Sequence, residues 1–245
     1  MTAEDGPLRR EPGLTLWRQI VSLIESEIAE GAHEPGGKLP TEAVLAARFA
    51  VNRHTVRRAL EELSRRGLVR VEQGRGSFVA EDVLDYAISA RTRFSEWIRR
   101  HSKEPSGRTL ELREIAADGA IAAGLGVRVG ARVILLERLG LADGRPVSLG
   151  SHHFPAARFP GLLAALRCAS TITDALAEVG VADYRRLVSR VSARMPLAQE
   201  AALLAMPRNR PLLVTENVNV DGRDAVVEFG IARYPTPRVQ IVFEP

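Results

Sequence analysis

The sequence predicts an α+β chain of two domains: a small helical domain closed by a short hairpin, then a larger one with an antiparallel sheet and flanking helices. Three observations carry this. Apolar positions recur at helical spacing between residues 16 and 63, whereas the later part of the chain alternates and twice places an Asp-Gly step between two alternating segments. At 245 residues the chain exceeds one minimal core and suits two of roughly 100–150 residues each. Finally, Lys38–Val79 holds nine basic residues against four acidic ones while the whole chain nets +4, so the excess positive charge sits in one stretch and the remainder is slightly acidic.

From Leu16, the residues Trp17, Ile20, Val21, Ile24 and Ile28 share one helical face, and Gly31 with Glu34-Pro35-Gly36-Gly37 ends that helix. Thr41 is an N-cap candidate for a short helix turning Val44, Leu45 and Phe49 inward. Asn52 caps the next, whose apolar face is Val56, Ala59, Leu60 and Leu63 and whose end is Gly67. Its other side shows Arg53, His54, Arg57 and Arg58. Taken alone, that is a solvated charged face. Two short helices about three residues apart, the second basic in its first turns, instead make a helix-turn-helix that offers donors to a major groove. Leu68–Val71 and Ser77–Val79 around Gln73-Gly74-Arg75-Gly76 then read as a hairpin whose glycine-rich tip carries Arg75 toward DNA.

The stretch LPTEAVLAARFAVNRHTVRRALEELSRRGLVRVEQGRGSFV resembles the winged helix-turn-helix of the GntR family over about seventy residues. The resemblance implies backbone contacts from Thr41, Asn52, Thr55 and Gly74. It also implies charge or base readout from Arg53, His54, Arg57 and Arg75, with Arg48, Arg58 and Gly76 in the same DNA-binding set. Many family members carry an arginine two residues after Thr41; here the position is Ala43, which implies a different operator.

Beyond this unit, Ala80–Tyr86 is acidic and without period and reads as a linker, so the expected division is 12–80, a linker over 81–92, and 93–245. Phe94, Trp97 and Ile98 fall at helical spacing within Ala87–Arg100, and Thr109–Ile115 alternates as a strand. Ala131–Leu141 and Arg145–Phe154 flank Asp143-Gly144; Pro211–Val220 and Asp224–Tyr234 flank Asp221-Gly222; both read as hairpins. Arg238–Glu244 is expected as a last strand, and helices near Ala117–Leu125, Thr171–Val179 and Leu197–Ala205. The one cysteine, Cys168, cannot form an internal disulfide and reads as a small buried or half-buried apolar residue.

The sequence shows no metal-ligand spacing, nucleophile elbow, P-loop or dinucleotide motif, so no catalytic residue, metal or cofactor is expected and the chain reads as a binder rather than an enzyme. His152 and His153 are adjacent, and neighbours on a strand face opposite ways, so they cannot share an ion. No apolar run approaches the ~18 residues of a membrane span and the N-terminus has no apolar signal core, which points to a cytoplasmic protein without a membrane partner.

The C-terminal part is similar to the effector domain of the HutC subfamily within GntR, a chorismate-lyase-like fold that binds small acids and dimerises. On the segments Arg91–Glu96, Glu137-Arg138, Ser148, His152–Pro155 and Glu228 with Arg233-Tyr234, the resemblance implies a site of Arg93, Phe94, Ser95, Arg138, Ser148, His152, His153, Glu228, Arg233 and Tyr234. DYAISARTRFSEWI, LADGRPVSLGSHHFPAARF and Ser189–Arg194 resemble the phosphonate-utilisation regulators of that subfamily. The implied partners are double-stranded operator DNA, a phosphonate or phosphate ester, and a second copy of the chain. A sugar phosphate or urocanate as effector, a lyase-like enzyme tethered to DNA, and a ligand-free architectural DNA binder are the competing readings.

Overall fold

A computed structural model of the chain describes residues 14–72, 74–80, 83–89, 91 and 93–243. It divides into two compact units between positions 82 and 83.

In the first unit, α1 (Leu16–Ala29), α2 (Glu42–Phe49) and α3 (Arg53–Arg65) precede the antiparallel strands β1 (Val69–Glu72) and β2 (Gly76–Val79). Ile20 and Ile24 of α1, Leu45 and Phe49 of α2, and Val56, Leu60 and Leu63 of α3 bury together with Val69 and Val79. Both expected caps form: the Thr41 hydroxyl accepts from the Val44 amide at 3.3 Å and the Asn52 side chain from the His54 amide at 2.9 Å. Val44, expected inward, is 55% exposed, and Ala46 is buried in its place. At 100° per residue the buried strip of α2 runs through Leu45, Phe49 and Ala46, and Val44 lies on the far side of Leu45 from them.

The second unit comprises β3 (Leu84–Ala87), α4 (Phe94–Arg100), β4 (Pro105–Ala116), α5 (Gly119–Leu125), β5 (Arg132–Ala142), β6 (Arg145–Pro155), α6 (Leu162–Cys168), α7 (Ile172–Glu178), β7 (Tyr184–Arg194), α8 (Ala198–Leu203), β8 (Leu212–Asp221), β9 (Val226–Pro235) and β10 (Val239–Val242). Six strands form an antiparallel sheet in the order β4-β5-β6-β9-β8-β7, and β3 pairs parallel with β10 apart from it. On one face, α6 and α7 pack over Ile134, Leu136 and Phe154, while Trp97 and Ile98 of α4 pack with Tyr86, Val147, Tyr234 and Val239. On the other, α5 covers Val133, Val218 and Phe229, and α8 covers Leu139, Leu149 and Leu212.

The two Asp-Gly steps differ. Asp143 and Gly144 both take positive φ, 49° and 76°, in the tight turn between β5 and β6. Asp221 instead stays in β8, its carboxylate accepts from the Arg223 and Ala225 amides, and Asp224 supplies the positive φ of 61° in a longer loop. Residues 84–87, expected within a linker, form β3; a four-residue strand has too little period to be read, and its partner β10 is some 155 positions away. The last strand is shorter than expected and joins β3 rather than the large sheet. Two elements, α6 and β7, were not foreseen: β7 lies at the sheet edge, half exposed, and a bulge between Arg186 and Val188 breaks its alternation. Cys168, expected buried or half-buried, is exposed as the last residue of α6, whose inward side is Leu162, Ala165 and Leu166.

Candidate functional site

In the first unit, the opening turns of α3 present Arg53 and His54 to solvent, neither in an ion pair among the described residues. Arg57 is also exposed but is held by Glu42 of α2 through two bonds, Nε at 3.1 Å and Nη2 at 2.7 Å. Arg58 lies over the Trp17 ring, 4.7 Å from its centre, and Thr55 is half-buried. In the wing, Gly74 and Gly76 take φ of +75° and +114°, which favours glycine, and Arg75 between them pairs with Glu72 and lies over Phe78. Gln73 lies outside the described residues. Arg48, expected in the same set, forms a two-point ion pair with the nearly buried Glu27 of α1 and so ties α2 to α1.

The second unit contains a cavity of about 390 Å³ between the sheet and the starts of α4 and α7. Alternation along the strands sends Arg138 and Gly140 of β5, Gly150 and His152 of β6, and Glu228, Gly230, Ala232 and Tyr234 of β9 to this one face. Arg93, Phe94 and Ser95 close it from α4, and Thr171–Asp174 from α7. The glycines are a requirement of shape. A Cβ on Gly140 would stand 2.3 Å from the Ser148 oxygen and 2.6 Å from the Phe94 ring, and one on Gly150 would stand 2.5 Å from His152 Nε2.

The cavity walls carry donors that lack partners. Arg138 makes one hydrogen bond, from Nη2 to the Ser170 carbonyl at 3.2 Å, and no ion pair among the described residues; burial lowers its pKa. Arg186 donates from Nη2 to the Tyr86 hydroxyl at 3.0 Å, while its Nε and Nη1 are buried with no hydrogen-bond partner. Arg93 stacks on Tyr184, 3.6 Å from the ring centre, and donates to its carbonyl. Glu228, by contrast, is fully engaged, by His152 Nδ1 at 2.5 Å and Asn219 Nδ2 at 2.8 Å. Burial raises the Glu228 pKa, but the charge and hydrogen bond of His152 and the Asn219 bond outweigh it, so the carboxyl stays ionised. Tyr234 is buried and its hydroxyl is held neutral well above the usual range.

Seven of the ten residues expected at the effector site line this cavity: Arg93, Phe94, Ser95, Arg138, His152, Glu228 and Tyr234. Three do not. His153 points to the opposite face, where it is buried against Phe229 and its Nδ1 meets the Phe229 carbonyl at 3.0 Å; burial lowers its pKa. Arg233 follows the same alternation to that opposite face and binds Ser151 and Glu200. Ser148 is buried beside Gly140 and Phe94 and is not a lining residue of the cavity. Sequence reading missed Arg186, Tyr184, Asn217, Asn219 and Tyr86, all of them lining residues. Asn217 and Asn219, two apart and flanking Val218 in an expected strand, are a legible signal; Arg186 is not, because no strand is expected around it.

Among the described residues no group of three or more His, Cys, Asp or Glu could hold a metal ion, and no helix is long and apolar enough to cross a membrane.

The sequence pattern of the bacterial regulatory proteins of the gntR family matches residues 16–79, and that of the UTRA domain matches residues 100–240, more than half of the chain. The chain is similar to the HTH-type transcriptional regulator RB1450 of Rhizobium meliloti (strain 1021), itself uncharacterised, at 37% identity over 97% of this chain and 98% of that one. It is 31% identical to the probable transcriptional regulator PhnF of Escherichia coli (strain K12), over 94% of this chain and 95% of that one. Among solved structures it resembles PhnF from Mycobacterium smegmatis, with a TM-score of 0.62 and 26% identity over 94% of this chain and 99% of that one. With a winged helix-turn-helix before a sheet-based effector-type domain, the chain belongs to the GntR family of bacterial regulatory proteins and is a transcriptional regulator of the UTRA-containing, HutC/PhnF type.

Proposed function

We propose that the chain is a cytoplasmic, homodimeric repressor of phosphonate uptake or catabolism genes, released from its operator by a phosphonate or phosphate ester. The observation that carries the effector class is the pair of unmatched arginines: Arg138 without a carboxylate and Arg186 with two buried nitrogens that lack a hydrogen-bond partner. Buried donors without acceptors are costly, and a tetrahedral anion offers several acceptor oxygens to such guanidinium edges. Likeness to the two PhnF proteins supports phosphorus over carbon acids.

The first unit would bind DNA through Arg53, His54, Arg57, Arg58 and the Arg75 wing, with Thr41, Asn52, Thr55, Gly74 and Gly76 shaping the contact surface. A dimer would set two such helices in successive major grooves roughly 34 Å apart. The effector acts by binding more tightly to the state whose heads do not match that spacing.

Calorimetric titration of the whole chain with methylphosphonate, a phosphate monoester, glucosamine 6-phosphate and urocanate tests the reading, with a gel shift on operator DNA in parallel. Selective binding of the first two, with release of DNA and recovery of unchanged ligand, supports it. Response only to glucosamine 6-phosphate or urocanate keeps the regulator and discards the phosphonate assignment, and turnover of any of them would overturn a purely binding role.

A further inference from the structure

We propose that Glu42 is a specificity-determining residue of the DNA-binding unit, holding Arg57 so that its remaining guanidinium edge reads a guanine and is kept from the phosphate chain. This rests on the reading of α3 as the DNA-recognition helix.

The geometry is that of a planar fork gripped on one side. Arg57 uses Nε and Nη2 on Glu42 Oε1 and Oε2, at 3.1 and 2.7 Å, which orients the whole guanidinium. The edge formed by Nη1 and the second N–H of Nη2 has no partner among the described residues. Two parallel donors are what the O6 and N7 acceptors of guanine require in a major groove. Arg57 lies one helical turn after Arg53 on the same exposed side of α3, so that edge belongs to the surface the helix offers to bases.

Charge decides the rest. Elsewhere on the exposed side of α3, Arg53 and Arg58 make no ion pair among the described residues. Glu42 sits beside them: chiefly the hydrogen bond and charge of Arg57, and after it Arg53 and His54, hold its carboxyl below the usual range against the opposing effect of burial. A carboxylate in that place repels every phosphate of a duplex, so it lowers affinity for DNA of any sequence. It becomes favourable only where the arginine it orients finds its base, which is how a repulsive element raises discrimination. The tie between α2 and α3 does not need it, since Leu45, Phe49, Val56 and Leu60 already bury together.

The test uses the full chain, a duplex selected by the wild-type chain from a random-sequence library, and a scrambled duplex of equal length. Glu42→Gln keeps the size and one acceptor but removes the charge. Its affinity for the scrambled duplex should rise, and the ratio of selected to scrambled binding should fall about tenfold. Arg57→Lys, which keeps the charge but loses the fork, should lose preference at one G·C pair per half-site while the salt dependence of binding is unchanged. An unchanged ratio in Glu42→Gln, or equal weakening on both duplexes, overturns the proposal and leaves Glu42 a structural tie. If the wild-type chain selects no sequence at all, the reading of α3 itself falls.

Discussion

Arg186 of β7 reaches across to β3 and donates to the Tyr86 hydroxyl at 3.0 Å, which leaves its Nε and Nη1 buried, unpartnered and beside the cavity. One guanidinium thus joins the cavity to the first strand of the second unit.

Arg186→Gln should therefore weaken binding of a phosphonate or phosphate ester at least about tenfold, in line with the ~1.5–3 kcal/mol of a hydrogen bond to a charged group. Calorimetry reads the affinity, and a gel shift without ligand should show normal DNA binding. Undiminished ligand affinity would remove Arg186 from the site.

Arg48→Ala should lower the stability of the first unit by about 2 kcal/mol, less than the ~3–5 of a fully buried pair because Arg48 is partly exposed. It should leave sequence discrimination intact wherever the unit is folded. A denaturation curve with a binding assay on the same sample separates the two effects.

The same contact gives a pH dependence. Burial raises the Glu27 pKa, but hydrogen bonds from Arg48 and His33, with their charge, bring it below its ordinary 4.5. A lowered folded-state pKa means this stabilisation is complete above 4.5 and is lost as pH falls through the folded value. Thermal melting between pH 6 and 3 at constant ionic strength should show the wild type losing more stability than Arg48→Ala. Parallel curves would refute it.

Gly140→Ala should cost about 1–3 kcal/mol and reduce ligand binding, because the added carbon meets Ser148 and the Phe94 ring that closes the cavity. Thermal melting and calorimetry check both, and a variant as stable as the wild type would show that Phe94 yields without cost.

Cys168 is exposed and is the chain's one thiol, so a chromogenic disulfide reagent should titrate one equivalent from the native protein. Reaction only after denaturation would place it inside.

What the amino-acid sequence determined by itself was local: the three helices and wing of the first unit, their caps at Thr41 and Asn52, and the hairpin at Asp143-Gly144. Each follows from a period or a turn requirement spanning a few residues. Alternation even separates His152 from His153, although it could not tell which of the two meets the cavity. Only the tertiary structure decided which partners a side chain finds. It turned Arg48 to Glu27, set Arg233 on the opposite face of the sheet, carried β3 to β10, and brought Arg186 to the cavity on an edge strand whose bulge hides its period. These contacts join residues some 20 to 155 positions apart, and no spacing within one segment encodes them, because they depend on which faces the packed core brings together.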